Sequence, residues 1–354
     1  MMNINDLSVK QSFSQQFDYK CRMQPAFLAP IPMIDATATK EPAVASALAQ
    51  PERLAILMNS ARRTYTPMGL RWADTRSRTW HARSSSPYID EVRQIDRSIG
   101  QPGGFLLNYS YEWGCTTGAA EDGGGVTLLR TLDWPFDGLG RALIAVRQQG
   151  AVGPYLSITW PAFAGVLTGL ARGRFAAAIN QPPLPLPEWG KAVGWTASRL
   201  RVNRARALPP SHLLRLAFDS CYSFSEAVAL IRSTPICVPA IFTLAGARPG
   251  EAIVIERTET AAFEPADPAA ANHWAASPGP KGRPSNESSI KRRVTMAGLI
   301  GNSPDWSLDW LRSPILQPDT RLAVMANPRS GALLVQGWEK TGPATALLDI
   351  RVEE

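Results

Sequence analysis

Apolar positions change their period about one third of the way along the chain. Over 41–63, EPAVASALAQPERLAILMNSARR, Leu54, Leu57 and Met58 recur at helical spacing, and Pro51 predicts a break between two helices. The residues before that, 1 to about 40, are polar and carry Pro25, Pro30 and Pro32, which predicts an arm or irregular packing. A further short helix is predicted over 87–99, with Pro87 at its start and the GQPGG cluster at 100–104 as its stop. Beyond it come short alternating or wholly apolar runs at 116–120, 126–132, 142–146, 155–160 and 175–179, separated by turn residues such as EDGGG at 121–125; these predict strands. Ser223 and Glu226 have the spacing of a capping box ahead of AVALIRS, so a helix follows, and strands resume at 236–244 and 252–256. A helix over 288–300 and strands at 321–325, 332–336 and 344–352 complete the pattern. Runs of strands with intervening helix pairs predict a layered α+β fold and not a strictly alternating parallel sheet.

Composition narrows the class. The chain has 354 residues, 45% hydrophobic and 19% charged, enough for two domains or one large one with a sizeable core. No apolar run approaches the roughly 20 residues of a membrane-spanning helix. The start, MMNINDLSVK, lacks the basic and apolar regions of a secretory signal, so a cytoplasmic location is expected. Cys21, Cys115, Cys221 and Cys237 show no CxxC spacing, and His81, His212 and His273 no metal-binding spacing, so neither metal nor cofactor is expected. There is no G-x-S-x-G elbow, and EDGGG lacks the lysine and hydroxyl residue of a phosphate loop. The net charge of +7 is modest for this length. One basic stretch, SRLRVNRARALPP, carries Arg199, Arg201, Arg204 and Arg206, with Trp189 and Trp195 nearby. That stretch is an exposed helix flank or a docking surface for an anionic membrane; a non-catalytic protein docking on RNA is the rival from another class, though no nucleic acid is expected if the chain is an enzyme.

The chemistry gathers in YEWGCTTGAAEDGGGVTLLRTLDWPF, where Cys115 opens one predicted strand and its hairpin partner delivers Arg130 and Asp133. A lone cysteine on a strand is by itself a small core hydrophobe. Two charges on a half-buried hairpin change that, because they need partners or a task. The period of two places 130 and 133 on opposite faces, so a bulge or a strand end must intervene. A nearby guanidinium favours the thiolate, the form that attacks amide carbonyls, which makes Arg130 an activator of Cys115.

Cys-Thr-Thr, a hairpin and then Arg-Thr-Leu-Asp-Trp resembles the start of the catalytic chain in cysteine N-terminal nucleophile (Ntn) hydrolases, the group of acid ceramidase, N-acylethanolamine acid amidase and choloylglycine hydrolase. Further likenesses follow in order: GVLTG at 165–169, GRFAAAIN ending in Asn180, the segment from His212 to Glu256, Asn272-His273-Trp274, and the Ser289 to Arg293 segment. Together they span about 105–350. The resemblance implies a four-layer αββα sandwich over 115–354, with 1–114 as a mainly helical companion that is cut from it between Gly114 and Cys115 and stays associated. It implies Cys115 as nucleophile, its freed α-amine (pKa about 7.7 to 8.0) as base, and Asp133 as the group that orients that amine. The Asn180 backbone N–H and the Asn272 side chain would be oxyanion donors, and Arg292, in preference to Arg293, would hold the constellation. The implied activity is hydrolysis of linear amides in small N-acyl compounds, fatty acyl amides first among them. An acyltransferase using the same thioester is the nearest alternative.

Overall fold

Proline opens the helices of the N-terminal half. In the computed structural model, which describes residues 28–109, 114–123, 125–183, 204–276 and 287–352, helices α1 (Pro42–Ala49), α2 (Pro51–Tyr65) and α3 (Pro67–His81) each begin with a proline in the first turn. There the missing N–H is no loss and the fixed φ suits the helix. Pro51 therefore separates α1 from α2 as the sequence predicts. Helix α3 is an addition to the prediction: it leaves Met68 and Trp72 exposed, so no continuous apolar stripe announces it. Helices α4 (Ile89–Ile99) and α5 (Gly104–Leu107) follow, with Gly100 in the left-handed conformation that closes α4. Most of the polar arm, Cys21, Trp189, Trp195, Arg199 and Arg201 lie outside the described residues.

Two sheets form the centre. The first runs in the order β1-β4-β5-β6-β7-β8-β9-β10 and the second β11-β2-β3-β12-β13-β14, with β15 also on β13. The first comprises β1 (Met33–Asp35), β4 (Ile144–Gly150), β5 (Gly153–Thr159), β6 (Thr168–Ala171), β7 (Phe175–Asn180), β8 (Ala240–Gly246), β9 (Ala252–Arg257) and β10 (Ala262–Phe263). The second comprises β2 (Gly114–Asp122), β3 (Gly125–Asp133), β11 (Ala269–Ala270), β12 (Thr320–Asn327), β13 (Ala332–Glu339), β14 (Gly342–Pro343) and β15 (Leu348–Arg351). The pairing is antiparallel except for β1, which joins β4 in parallel and so ties the N-terminal segment into the sheet of the C-terminal one.

The inner faces of the sheets meet through Cys115, Leu128, Leu132, Leu156, Ala176, Ala178, Leu322 and Val324. Helices α6 (Pro210–Ser220) and α7 (Phe224–Ser233) cover the outer face of the first sheet, where Phe218 stacks on Tyr155 and Phe175. Burial of each such aromatic side chain contributes about 1.5–3 kcal/mol. Ser223 caps α7 by accepting from the Glu226 N–H at 3.2 Å, as its spacing predicts. Helix α8 (Glu287–Ile300) covers the second sheet. It comes so close at Gly118 that a Cβ there would lie 2.7 Å from Ile300 and 2.8 Å from Met296. The layers are therefore helix, sheet, sheet, helix, the four-layer sandwich expected from the resemblance.

The N-terminal helices pack on one another and on residues 162–164 and 237–238. A buried polar network fastens them to α6: Glu91 pairs with Arg215 and accepts from the Ala43 N–H, Arg215 donates to Ala164 O, and the Tyr88 and Tyr155 hydroxyls donate to Asp219. Burial pushes the Glu91 carboxyl up, and the Arg215 charge opposes it. No helix among the described residues is long and apolar enough to cross a membrane.

Candidate active site

Strand alternation decides which groups face which layer. Cys115 pairs with Leu132, Thr117 with Arg130, and Gly114 with Asp133, in unbroken register along the β2-β3 hairpin. Cys115, Thr117 and Arg130 thus point between the sheets, where the Thr117 hydroxyl meets that of Thr243 at 2.6 Å. Asp133 points the other way, towards α8. Of the two devices the sequence required, the hairpin uses the strand end: Asp133 is the last residue of β3, and the register shift opposite it lies on β12, between Thr320 and Leu322. Cys115 is consequently approached from two sides, its thiol from the sheet interior and its backbone from the helix side.

On the interior side Arg130 is fully buried. Its Nη1 donates to Leu167 O at 2.7 Å and Ile179 O at 3.2 Å, and its Nη2 lies 3.4 Å from Cys115 Sγ. The thiol in turn lies 3.6 Å from Ile179 O. On the helix side Arg292 Nη1 donates to Cys115 O at 2.6 Å and Thr116 Oγ1 at 2.8 Å and sits 3.5 Å from Asp133 Oδ2, while Nη2 donates to Asn272 Oδ1 at 2.8 Å. That same Oδ1 accepts the Cys115 N–H at 2.8 Å, and Asn272 Nδ2 donates to Gln181 O at 2.8 Å. An amide nitrogen carries two hydrogens, so Nδ2 retains one for a further acceptor. Arg293, one residue on, turns away to Ala269 O and Asp267. Asn180 buries its side chain, donating to Thr117 Oγ1 at 3.0 Å and Ala271 O at 3.2 Å.

Thr320 and Glu256 escaped the sequence reading as supporting residues, and Ser289 entered it only as the start of a matching segment. Ser289 Oγ accepts the Asn272 N–H and bonds His273 Nδ1, both at 2.8 Å. Its position three before Arg292 puts both on one helix face, a signal that was available. Thr320 donates to Asp133 Oδ1 at 2.7 Å, and Glu256 accepts the N–H groups of Ala275 and Ala276 at 2.6 and 3.0 Å; nothing local marks either.

Burial dominates the electrostatics. It pushes the Cys115 thiol up from an ordinary 9.0 to about 12, against the downward pull of Arg130. It pushes the Asp133 carboxyl up as well, opposed chiefly by Arg292. Burial therefore keeps the Cys115 thiol of the uncut chain protonated at pH 8. Alkylation of Cys115 by iodoacetamide in uncut chain is expected to run at least about a hundredfold slower than that of free cysteine at pH 8. Peptide mapping against pH checks this, and a rate matching free cysteine would refute it. The same raised value means that stability from the protonated thiol is complete below pH 9.0 and is lost as pH rises through about 12.

Among the described residues no cluster of three or more His, Cys, Asp or Glu is placed to hold a metal ion. Trp134, next to Asp133, forms one wall of an apolar cavity of about 540 Å³, open mouth included. Helix α2 contributes Leu57 and Tyr65, α5 contributes Leu106 and Leu107, and Phe136 and Phe163 are also part of the lining.

A four-layer sandwich that places a cysteine at the start of an inner strand, with an arginine on its thiol, is the arrangement expected from the resemblance to Ntn hydrolases. Sequence comparison agrees: over 179 residues the chain is 25% identical to the N-acylethanolamine-hydrolyzing acid amidase of Cavia porcellus, covering 48% of each. The two are homologous over that stretch, and the chain spans about half the length of the curated relative it matches. No family model matches. Similar solved structures include the Caenorhabditis elegans ortholog of that amidase, with a TM-score of 0.46 and 18% identity over 60% of this chain and 93% of that one. A mutant of the conjugated bile acid hydrolase of Clostridium perfringens has a TM-score of 0.40 and 11% identity over 68% and 97%. Penicillin V acylase of Agrobacterium tumefaciens has 0.36 and 13% over 63% and 83%.

Proposed function

We propose that the chain is an amidohydrolase of linear N-acyl amides that works through an acyl thioester on Cys115, after cutting itself between Gly114 and Cys115 into fragments 1–114 and 115–354. The observation that carries this reading is the buried Arg130 guanidinium 3.4 Å from the Cys115 sulfur, with the nitrogen of the same residue held by Asn272 at 2.8 Å. In the cut, Sγ bonds to the Gly114 carbonyl carbon, the C–N bond breaks, the thiol proton passes to the departing nitrogen, and water then hydrolyses the thioester. The freed amine, with a pKa of about 7.7 to 8.0, is then the base for the thiol of its own residue. In each turnover Sγ attacks the substrate carbonyl, the amine leaves with the proton, and water releases the acid. Asn272 Nδ2 and the Asn180 backbone N–H are the proposed oxyanion donors, and Asp133 orients the amine.

The cavity supports the substrate class. Its walls are aliphatic and aromatic apart from Ser60 and carry no charged side chain, which suits a fatty acyl chain. The relative named for hydrolysing N-acylethanolamines makes fatty acyl ethanolamides the first substrates to try. The network of Glu91, Arg215, Tyr88 and Asp219 and the β1-β4 pairing are the contacts by which the two fragments stay associated. The basic stretch, of which Arg204 and Arg206 are described, is the proposed contact with an anionic membrane surface.

Product analysis tests the activity. With hexadecanoyl ethanolamide, free acid is expected to account for nearly all product, with or without added amines. Transfer of most acyl groups to the added amine would make the enzyme an acyltransferase, and no turnover of any linear amide by cut protein would refute the proposal.

A further inference from the structure

Two buried polar side chains bracket α5, the short helix that supplies Leu106 and Leu107 to the cavity. At its start Asp74 Oδ1 accepts the N–H groups of Phe105 and Leu106 at 3.0 and 3.1 Å. At its end stands Asn108, 2% exposed. Asn108 Nδ2 donates to Gly104 O at 2.9 Å and to Ala162 O at 3.0 Å, and Oδ1 accepts the Ala164 N–H at 2.7 Å. Both amide hydrogens are thus engaged, one on α5 and one on the segment after β5. That segment carries Trp160 and Phe163, which also line the cavity. Between them Ala162 has φ 68, a left-handed conformation that a residue with a Cβ keeps only when its surroundings hold it there. Ala162 is gripped from both ends of its peptide: its carbonyl by Asn108, and its N–H by Ser46 Oγ at 3.3 Å.

We propose that Asn108 is a specificity-determining positioning residue, whose carboxamide fixes the α5 wall against the Trp160 and Phe163 wall and so sets which acyl chains the cavity admits. The inference rests on the reading of the cavity as the acyl site. An apolar cavity offers a hydrocarbon chain no hydrogen bonds by which to choose it, so selection falls to shape, and shape requires walls that do not drift. Asn108 reaches none of the groups around Cys115; its influence passes through the strained turn at Ala162. Loss of the carboxamide lets that turn relax and moves Phe163, while the chemistry at Cys115 keeps its own supports.

The test separates this inference from the proposed activity. Asn108→Ala is combined with Cys115→Ala, and the fluorescent long-chain fatty acid cis-parinaric acid is titrated into the full chain with and without the Asn108 change. Binding is expected to weaken by about tenfold, the size of one or two lost hydrogen bonds acting through the walls. In the active chain, Asn108→Ala should raise KM for a hexadecanoyl amide by about ten times more than KM for a butanoyl amide, with kcat falling by less than about threefold. Adding Ala162→Gly, which removes the strain, should restore part of the affinity. Should the alanine variant fail to accumulate, Asn108→Ser, which keeps one hydroxyl in the cluster, should show the same split in smaller measure. Equal binding of the fatty acid by both chains, or KM for both amides rising in parallel with a fall in kcat, overturns the inference. If no amide is hydrolysed, the proposed activity falls, and the fatty-acid titration still decides whether Asn108 governs the cavity.

Discussion

Cys115→Ala is expected to leave the chain whole and to lower amide hydrolysis by about 10⁴-fold or more, the scale seen when a nucleophile is removed from an otherwise intact site. In the proposed function one atom carries both steps: Sγ opens the Gly114–Cys115 bond and then accepts the acyl chain. The alanine side chain fits the cysteine's place in the inter-sheet core, so the variant should fold, and Asn272 and Arg292 should still hold the backbone of residue 115, since both bind its main-chain atoms. A denaturing gel with N-terminal sequencing checks the result. Wild type should give two fragments, the larger beginning at Cys115, and the variant one band. Fragments of the same size from the alanine variant would place the cut, and the nucleophile, elsewhere.

Arg292→Leu is expected to cost about 3–5 kcal/mol of stability, the penalty for leaving a buried charge without its partner. The charge left behind is Asp133, buried on the α8 side with Thr320 as its remaining side-chain bond. The melting temperature should fall by on the order of 10 °C. Burial already raises the Asp133 carboxyl, and loss of Arg292 removes the chief opposing charge, so its folded value rises further above the ordinary 3.8. A raised folded value gives stability that is complete below 3.8 and disappears as pH rises through it. The variant should therefore be closer to wild type in acid than at neutrality, and Asp133→Asn added to Arg292→Leu should recover stability without recovering activity. Activity should fall by about 10³-fold in the single variant, because Asn272 loses one of the two donors that fix its amide. Calorimetry across pH decides the matter, and a loss of stability that does not vary with pH would remove Asp133 from the explanation.

Local rules made much of the molecule readable in advance. Pro51 separates α1 from α2 because proline tolerates a helix only in its first turn, and Ser223 caps α7 by a contact three residues away. The strands of the β2-β3 hairpin follow from alternation and a glycine-rich turn, but the register that puts Arg130 on the same face as Cys115 came only with the fold. Helix α3 was not readable, because exposed Met68 and Trp72 interrupt its apolar face and what holds it is packing against the other N-terminal helices. Thr320 and Glu256 carry no local mark of their contacts with Asp133 and with the chain beyond Asn272. Arg292 and Arg293 are neighbours of identical chemistry, and sequence alone ranks them without separating them.

What the sequence determined by itself is the set of elements and the chemistry available at each, since periodicity, capping and turn formation act over a few residues. The tertiary structure alone decided the meeting of groups 15 to 187 positions apart, the Cys115 and Arg130 pair at one extreme and Asp133 with Thr320 at the other. It also decided the raised Cys115 thiol and the shape of the apolar cavity. Both depend on the exclusion of water, and only the stacking of the two sheets and the docking of the N-terminal helices exclude it.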